Sequence, residues 1–217
     1  MKNNNSHHAH DNLEEIWHQV PPDYYQKGIE NNILQRIWHT GKADAVLSMV
    51  KGSPARILDV GSAGGWFLSQ IASVYPNAEC FGIDVYNPAI TYAKKLYPKI
   101  QFKVADGHKI PFADDSFDLV ICTEVLEHVV NPEKVTSEIE RVLKKKGIAV
   151  IEMDSGNVLF RVVWHWWTNM RKGVWRDSHI HTFSTNKLEK LLKKSNLQIK
   201  KKKTFNFTMG VVFLLEK

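Results

Sequence analysis

From residue 55 onward, short apolar runs alternate with segments whose apolar residues recur at helical spacing. Ala55–Val60, Glu79–Asp84, Ile100–Ala105, Phe117–Thr123 and Ile148–Met153 read as strands, each bounded by glycine, proline or polar residues. Between the first two, Phe67, Leu68, Ile71, Val74 and Tyr75 mark one face of a helix from Trp66 to Tyr75, which Pro76 stops. A second helix, Pro88–Leu96, has Asn87 as its cap and proline at its first position. A third starts at Asn131-Pro132 and runs to Lys146, with Gly147 as its C-terminal stop. Strands and helices in strict alternation predict an α/β domain, a parallel sheet covered on both faces. The end of the chain breaks the rhythm. After a helix capped by Ser184 and carrying Leu188, Leu191 and Leu192, two strand-like runs follow, Leu197–Phe205 and Met209–Glu216. Only a few residues separate them, whereas a parallel crossover needs about a dozen, so they must form an antiparallel hairpin.

Ahead of this domain lie residues 1–50, a polar tail and a helical cap; residues 51–217 form the main domain, with a lid inserted near 155–183. The cap holds WHQVPPDYY, then Ile29, Ile33, Leu34, Ile37, Trp38, Ala45, Val46 and Met49, a spacing that predicts one or two amphipathic helices broken near Gly41. Tyr24 and Tyr25, at its aromatic tip, are candidates to close over a pocket. The insertion reads VLFRVVWHWWTNMRKGVW and mixes tryptophan with Arg161, Arg171 and Lys172. That mixture suits an apolar lid over a bulky acceptor, and also a peripheral membrane contact through residues 158–176.

The composition narrows the setting. In 217 residues, 43% are apolar and 24% charged, the balance of a globular protein with a substantial core. No apolar run approaches the roughly 18 residues of a membrane span, and the polar N-terminus lacks a signal peptide's apolar stretch, so the cytoplasm is the expected location. Cys80 and Cys122 fall in strands and read as free buried thiols. The net charge of +6 raises the question of nucleic acid, but much of the excess lies in Lys187–Lys203, on a helix face and an outer strand. His7, His8 and His10 have no carboxylate or cysteine partners in the tail, and no metal site is expected.

Chemistry concentrates at ILDVGSAGGWF, residues 57–67, where a strand passes through a glycine-rich turn into a helix and leaves backbone N–H groups over the strand end. The dinucleotide fingerprint G-x-G-x-x-G/A, counted from Gly61, meets Ala63 and Trp66 instead, so a nicotinamide or flavin fits poorly. Asp59, two residues before Gly61, opposes a pyrophosphate but suits an ammonium or sulfonium group. Asp84 ends the second strand, where an acid can accept both ribose hydroxyls. Asp106 follows the third and can accept from an exocyclic amine; Val85 or Tyr86 can cover the face of a base. ATP is disfavoured because no P-loop GK[ST] is present.

These stretches, together with FGIDVYNPAI, VADGHKIPFADDSFDLVICTEVLEHV and ERVLKKKGIAVIEM, resemble class I S-adenosylmethionine-dependent methyltransferases, in particular the small-molecule and lipid-precursor branch that includes quinone-biosynthesis enzymes. The resemblance spans residues 55–155 and implies a Rossmann-like doubly wound sheet. It implies S-adenosylmethionine as methyl donor and S-adenosylhomocysteine as product. Asp59, Gly61, Ser62 and Gly65 would hold the methionine part, Asp84 the ribose and Asp106 the adenine amine, with Val85, Gly107 and Thr123 completing the pocket. Ala63 replaces the family's usual glycine, a change of little consequence if its φ is negative.

The acceptor is less specified. A small, apolar or lipid-linked molecule is expected, under a lid that includes Trp166, Trp167 and His179. A base is needed only if the acceptor must lose a proton, and His128 and His181 are the candidates. Two other readings compete: an RNA methyltransferase, for which no RNA-binding module or N-P-P-Y motif is found, and a cofactor-binding protein without turnover.

Overall fold

A computed structural model describes residues 19–170 and 180–217. Two helices come first, α1 (Tyr24–Asn31) and α2 (Ile33–Leu47). They are divided at Asn32, not near Gly41: Asn32 is extended and its side chain accepts from the N–H groups of Leu34 and Gln35, so it caps α2. Gly41 lies inside α2, where the absent side chain makes room for Asn206; a Cβ there would collide with the Asn206 amide.

The main domain follows as β1 (Arg56–Val60), α3 (Trp66–Val74), β2 (Glu79–Asp84), α4 (Asn87–Leu96), β3 (Gln101–Val104), a 3₁₀ turn (Gly107–Lys109), β4 (Phe117–Thr123), α5 (Pro132–Val142), β5 (Leu143–Asp154), α6 (Val158–Met170), α7 (Thr185–Leu192), β6 (Gln198–Phe205) and β7 (Gly210–Glu216). All seven strands form one sheet in the order β3-β2-β1-β4-β5-β7-β6. The first five are parallel, while β7 runs antiparallel to both β5 and β6. The expected doubly wound sheet with its terminal hairpin is therefore present. Because β1 is flanked by β2 on one side and β4 on the other, the strand order reverses there. In open α/β sheets that reversal leaves a crevice beyond the carboxyl ends of the strands.

Alternation along the strands divides the core between the two faces. Leu58, Val60, Val120 and Cys122 pack with Val135, Ile139 and Leu188 from α5 and α7. Ile57, Leu119 and Ile121 pack with Val46, Leu68, Ile71 and Ile90 from α2, α3 and α4. Both cysteines are free and buried.

One boundary departs from the sequence reading. Helix α5 ends at Val142 rather than Lys146, and β5 begins at once with Leu143. Leu143 is fully buried and pairs with Phe117 across a shift in register, and Lys144 reaches Asp118 at 2.8 Å. Burying Leu143 against the sheet outweighs the helix propensity of the lysine run. The other basic stretch is the flank strand β6, where Lys200 and Lys202 pair with Glu216 and Glu189.

Candidate functional site

The glycine turn after β1 is held by the neighbouring strand. The N–H groups of Gly61 and Ser62 both donate to the carbonyl of Ile83, at 2.8 and 2.9 Å. Asp84, next along β2, accepts from the Ala63 N–H through Oδ2 (2.8 Å) and from the Tyr86 N–H through Oδ1 (2.9 Å). The turn needs positive φ at Gly61 (80°) and Gly65 (81°), and a side chain at Gly61 would collide with Val125. Ala63 also has positive φ, 44°, so the condition under which its methyl group is harmless is not met. An alanine in the left-handed region carries about 1 kcal/mol of strain that glycine lacks.

A cavity of about 480 Å³ opens over this turn. Asp59, Gly61, Ser62, Gly65, Asp84, Val85, Asp106, Gly107 and Thr123 all line it, as do His128 and Tyr25. Asp59 is 1% exposed, and its Oδ1, like the Ser62 Oγ, has no hydrogen-bond partner. Burial, opposed by Lys42 and reinforced by Asp84, raises the Asp59 carboxyl to about 8. Burial also raises Asp84, against the pull of its backbone N–H donors. Asp106 caps the 3₁₀ turn through the His108 N–H (2.8 Å) and lies 2.6 Å from the His108 Nδ1. Because Nε2 of that ring accepts from the Asn131 N–H (3.1 Å), the ring proton is on Nδ1 and is donated to Asp106.

The cap contributes residues to which the sequence reading assigned no role. Lys42, in α2, is 5% exposed, and its ammonium is 3.0 Å from Glu124 Oε2, while the Trp38 indole donates to Glu124 Oε1 at 2.8 Å. Glu124 directly follows β4 and has φ of 53°. Although burial alone would raise it, Lys42 and His39 together with these bonds hold its carboxyl at about 2. His39 is one turn from Lys42 and also lines the cavity; burial, then the Lys42 charge, lowers its imidazole to about 3. The available signal was their position: Trp38, His39 and Lys42 interrupt the buried stripe of α2 with polar groups. Around Glu124 three more acids, Glu127, Glu152 and Asp154, are raised chiefly by burial, Asp154 to about 7. Neither carboxylate oxygen of Glu152 has a partner.

Other expected site residues lie elsewhere. The ring of Tyr24 packs edge-on against Tyr25 (5.4 Å) and does not line the cavity. His181 is also off the cavity wall: its N–H donates to the Glu127 carbonyl, its Nε2 is 3.0 Å from the Val129 carbonyl, and its ring tilts over Phe183. Trp166 points away as well, 49% exposed beside Val158, Arg161 and Val162. The cause is helical phase. Phe160 packs on Trp38 (6.2 Å) and stacks on Trp164 (5.8 Å), and at 100° per residue Trp166 is turned about 200° from Trp164. The side chain of Trp167, His179, and the histidines of the N-terminal tail lie outside the described residues. Among the described residues no group of three or more His, Cys, Asp or Glu is arranged to hold a metal ion, and no helix is long and apolar enough to cross a membrane.

An acid-lined crevice beyond a glycine turn, at the reversal of a doubly wound sheet, is where open α/β domains bind their ligands. Residues 58–151 match the family described as Methyltransferase domain. The malonyl-[acyl-carrier protein] O-methyltransferase of Legionella pneumophila is 34% identical over 104 residues, 46% of this chain and 37% of that protein. The demethylmenaquinone methyltransferase of Chlorobaculum parvum is 28% identical over 64% of this chain and 58% of its own length. A solved structure from Thermotoga maritima, titled a SAM-dependent methyltransferase and possible histamine N-methyltransferase, superposes with a TM-score of 0.71 at 18% identity, covering 93% of this chain and 99% of that one. Over residues 58–151 this chain therefore matches a methyltransferase domain, on the fold that the solved structure shares. It spans between about a third and three-fifths of the length of those two curated relatives.

Proposed function

We propose that this protein transfers a methyl group from S-adenosylmethionine to a small, apolar or lipid-linked acceptor. The observation that carries the reading is the convergence of Asp59, Asp84 and Asp106, from the ends of three adjacent strands, on one cavity with the glycine turn. The orphaned Oδ1 of Asp59 and the free Ser62 Oγ fit the ammonium and carboxylate of a methionine moiety. Asp84 keeps lone pairs for ribose hydroxyls and Asp106 for an adenine amine, with Val85, Gly107 and Thr123 around them. Bound there, the sulfonium supplies a methyl group activated for in-line displacement. The protein's task is to orient the nucleophile and to exclude water, which Tyr25, Val20 and the proline pair favour by closing one side of the cavity.

Two relatives are named for acceptors tied to a carrier protein and to a quinone, which supports a carrier- or lipid-linked acceptor. So does the outer face of α6: Val158 and Val162 are 77% and 61% exposed, next to Trp166 and Arg161. An apolar face edged with arginine suits a peripheral membrane contact. His128, on the cavity wall, is a candidate base, whereas His181 would act by holding residues 127–129 in place. Lys200 and Lys202 of β6 pair with neighbouring acids, which weighs against RNA as acceptor.

The test has two stages. Calorimetry with S-adenosylmethionine should give one site per chain; no heat of binding would defeat the proposal. Methyl-labelled donor added to a cell extract should then place label in organic-extractable material. Label lost on RNase treatment would favour RNA, and binding without any label transfer would favour a non-catalytic role.

A further inference from the structure

Resting on the methyl-donor reading, we propose that His39 of the cap helix is a catalytic residue that accepts the hydrogen bond of a hydroxyl on the acceptor and so orients its oxygen toward the methyl group. His39 is 7% exposed and lines the cavity. Its ring is fixed edge-on between Tyr25 (5.4 Å) and Trp66 (6.2 Å), the residue that begins α3 just beyond the glycine turn. Neither ring nitrogen is hydrogen-bonded among the described residues. A neutral imidazole on the cavity wall, framed by two aromatic rings, can accept a hydrogen bond from a donor placed in the cavity.

The groups facing the ring define the donor. Lys42 is one turn along α2, and Glu124 is ion-paired to it. Burial, and then the Lys42 charge, keep the imidazole neutral, and that charge disfavours an ammonium beside it, so an uncharged O–H, as in a phenol or enol, is the better partner. His39 stays neutral and holds the hydroxyl oxygen toward the methyl group; as the sulfur–methyl bond breaks and the oxygen–methyl bond forms, the hydroxyl proton leaves to water and carries away the positive charge that the donor gives up.

Histidine-labelled protein saturated with S-adenosylhomocysteine and titrated with 2-naphthol tests this by NMR without turnover. The His39 ring signals, assigned by their loss in His39→Gln, should shift with 2-naphthol and stay in place with 2-methoxynaphthalene, which has the same rings and no donor. Equal responses to both probes would overturn the proposal. For methyl transfer to a phenolic acceptor, His39→Ala should lower kcat about ten-fold or more with the KM for S-adenosylmethionine unchanged. Millimolar imidazole should restore part of the loss in His39→Ala. A kcat within threefold of wild type, or a loss confined to the KM for the methyl donor, would overturn it. Failure to bind S-adenosylhomocysteine at all has a different signature and would remove the function proposed above together with this inference.

Discussion

Asp84 Oδ2 accepts a hydrogen bond of 2.8 Å from the backbone N–H of Ala63. The acid expected to meet a ribose therefore also braces the glycine turn, and the two roles separate by substitution. Asp84→Asn keeps an acceptor oxygen for Ala63 but loses the charge, whereas Asp84→Ala loses both. Affinity for S-adenosylmethionine should fall about ten-fold or more in Asp84→Asn and by a further order in Asp84→Ala, given about 1.5–3 kcal/mol for bonds to a charged group. Calorimetry on both variants checks this; equal affinity in wild type and Asp84→Ala would remove the ribose assignment.

Ala63 has a φ that alanine adopts at a cost. Ala63→Gly should relieve it, leaving a net gain below about 1 kcal/mol after the entropy that glycine adds to the unfolded chain. The expected reading is a melting temperature one to three degrees higher, from the roughly 2–4 °C per kcal/mol of a domain this size.

Lys42 is a buried cation tied to Glu124. Lys42→Met would strand that carboxylate beside Glu152 and Asp154, and removing one partner of a buried pair typically costs about 3–5 kcal/mol. Denaturant unfolding should show that loss. The double variant Lys42→Met, Glu124→Gln should recover a good part of it, because the glutamine oxygen can still accept from the Trp38 indole.

Stability should depend on pH in two directions. Asp59 and Asp154, held near 8 and 7 when folded, favour the protonated native state. Their contribution is complete below the ordinary carboxylate range, near 4, and is lost as pH rises toward 8. Glu124, held near 2, contributes above the ordinary range and loses its contribution only as pH falls through about 2. The ligand-free protein should thus melt at a lower temperature at pH 8 than at pH 5.5, and Asp59→Asn should flatten that slope. If Asp59 meets an ammonium, donor binding at pH 7 should release protons, visible as a buffer-dependent calorimetric enthalpy.

The sheet was legible because its strands are short, apolar and punctuated by glycine and proline, and because the Leu197–Glu216 pair is too closely spaced for a crossover. The acids of the crevice were legible because strand ends in a parallel sheet all deliver residues to one edge. Tertiary contacts set the rest. Asn32 divides the cap through its own side-chain bonds, while Gly41 only makes room for Asn206. Leu143 leaves the helix because Phe117 offers it a buried place. His39 and Lys42 looked like ordinary polar interruptions of a helix until Glu124 came to face them. The tryptophans of α6 are close together in sequence, and the contact of Phe160 with Trp38 decides which of them turn inward.

Gly64 carries one more consequence. The carbonyl of Pro22 rests where a Cβ on residue 64 would stand, 2.8 Å from it, so the N-terminal segment closes on bare backbone like a latch on a flat plate. Thickening that plate by one methyl group, Gly64→Ala, should leave the latch ajar. Spent S-adenosylhomocysteine would then escape faster in stopped-flow displacement, and a chain limited by product release would gain turnover while losing its grip.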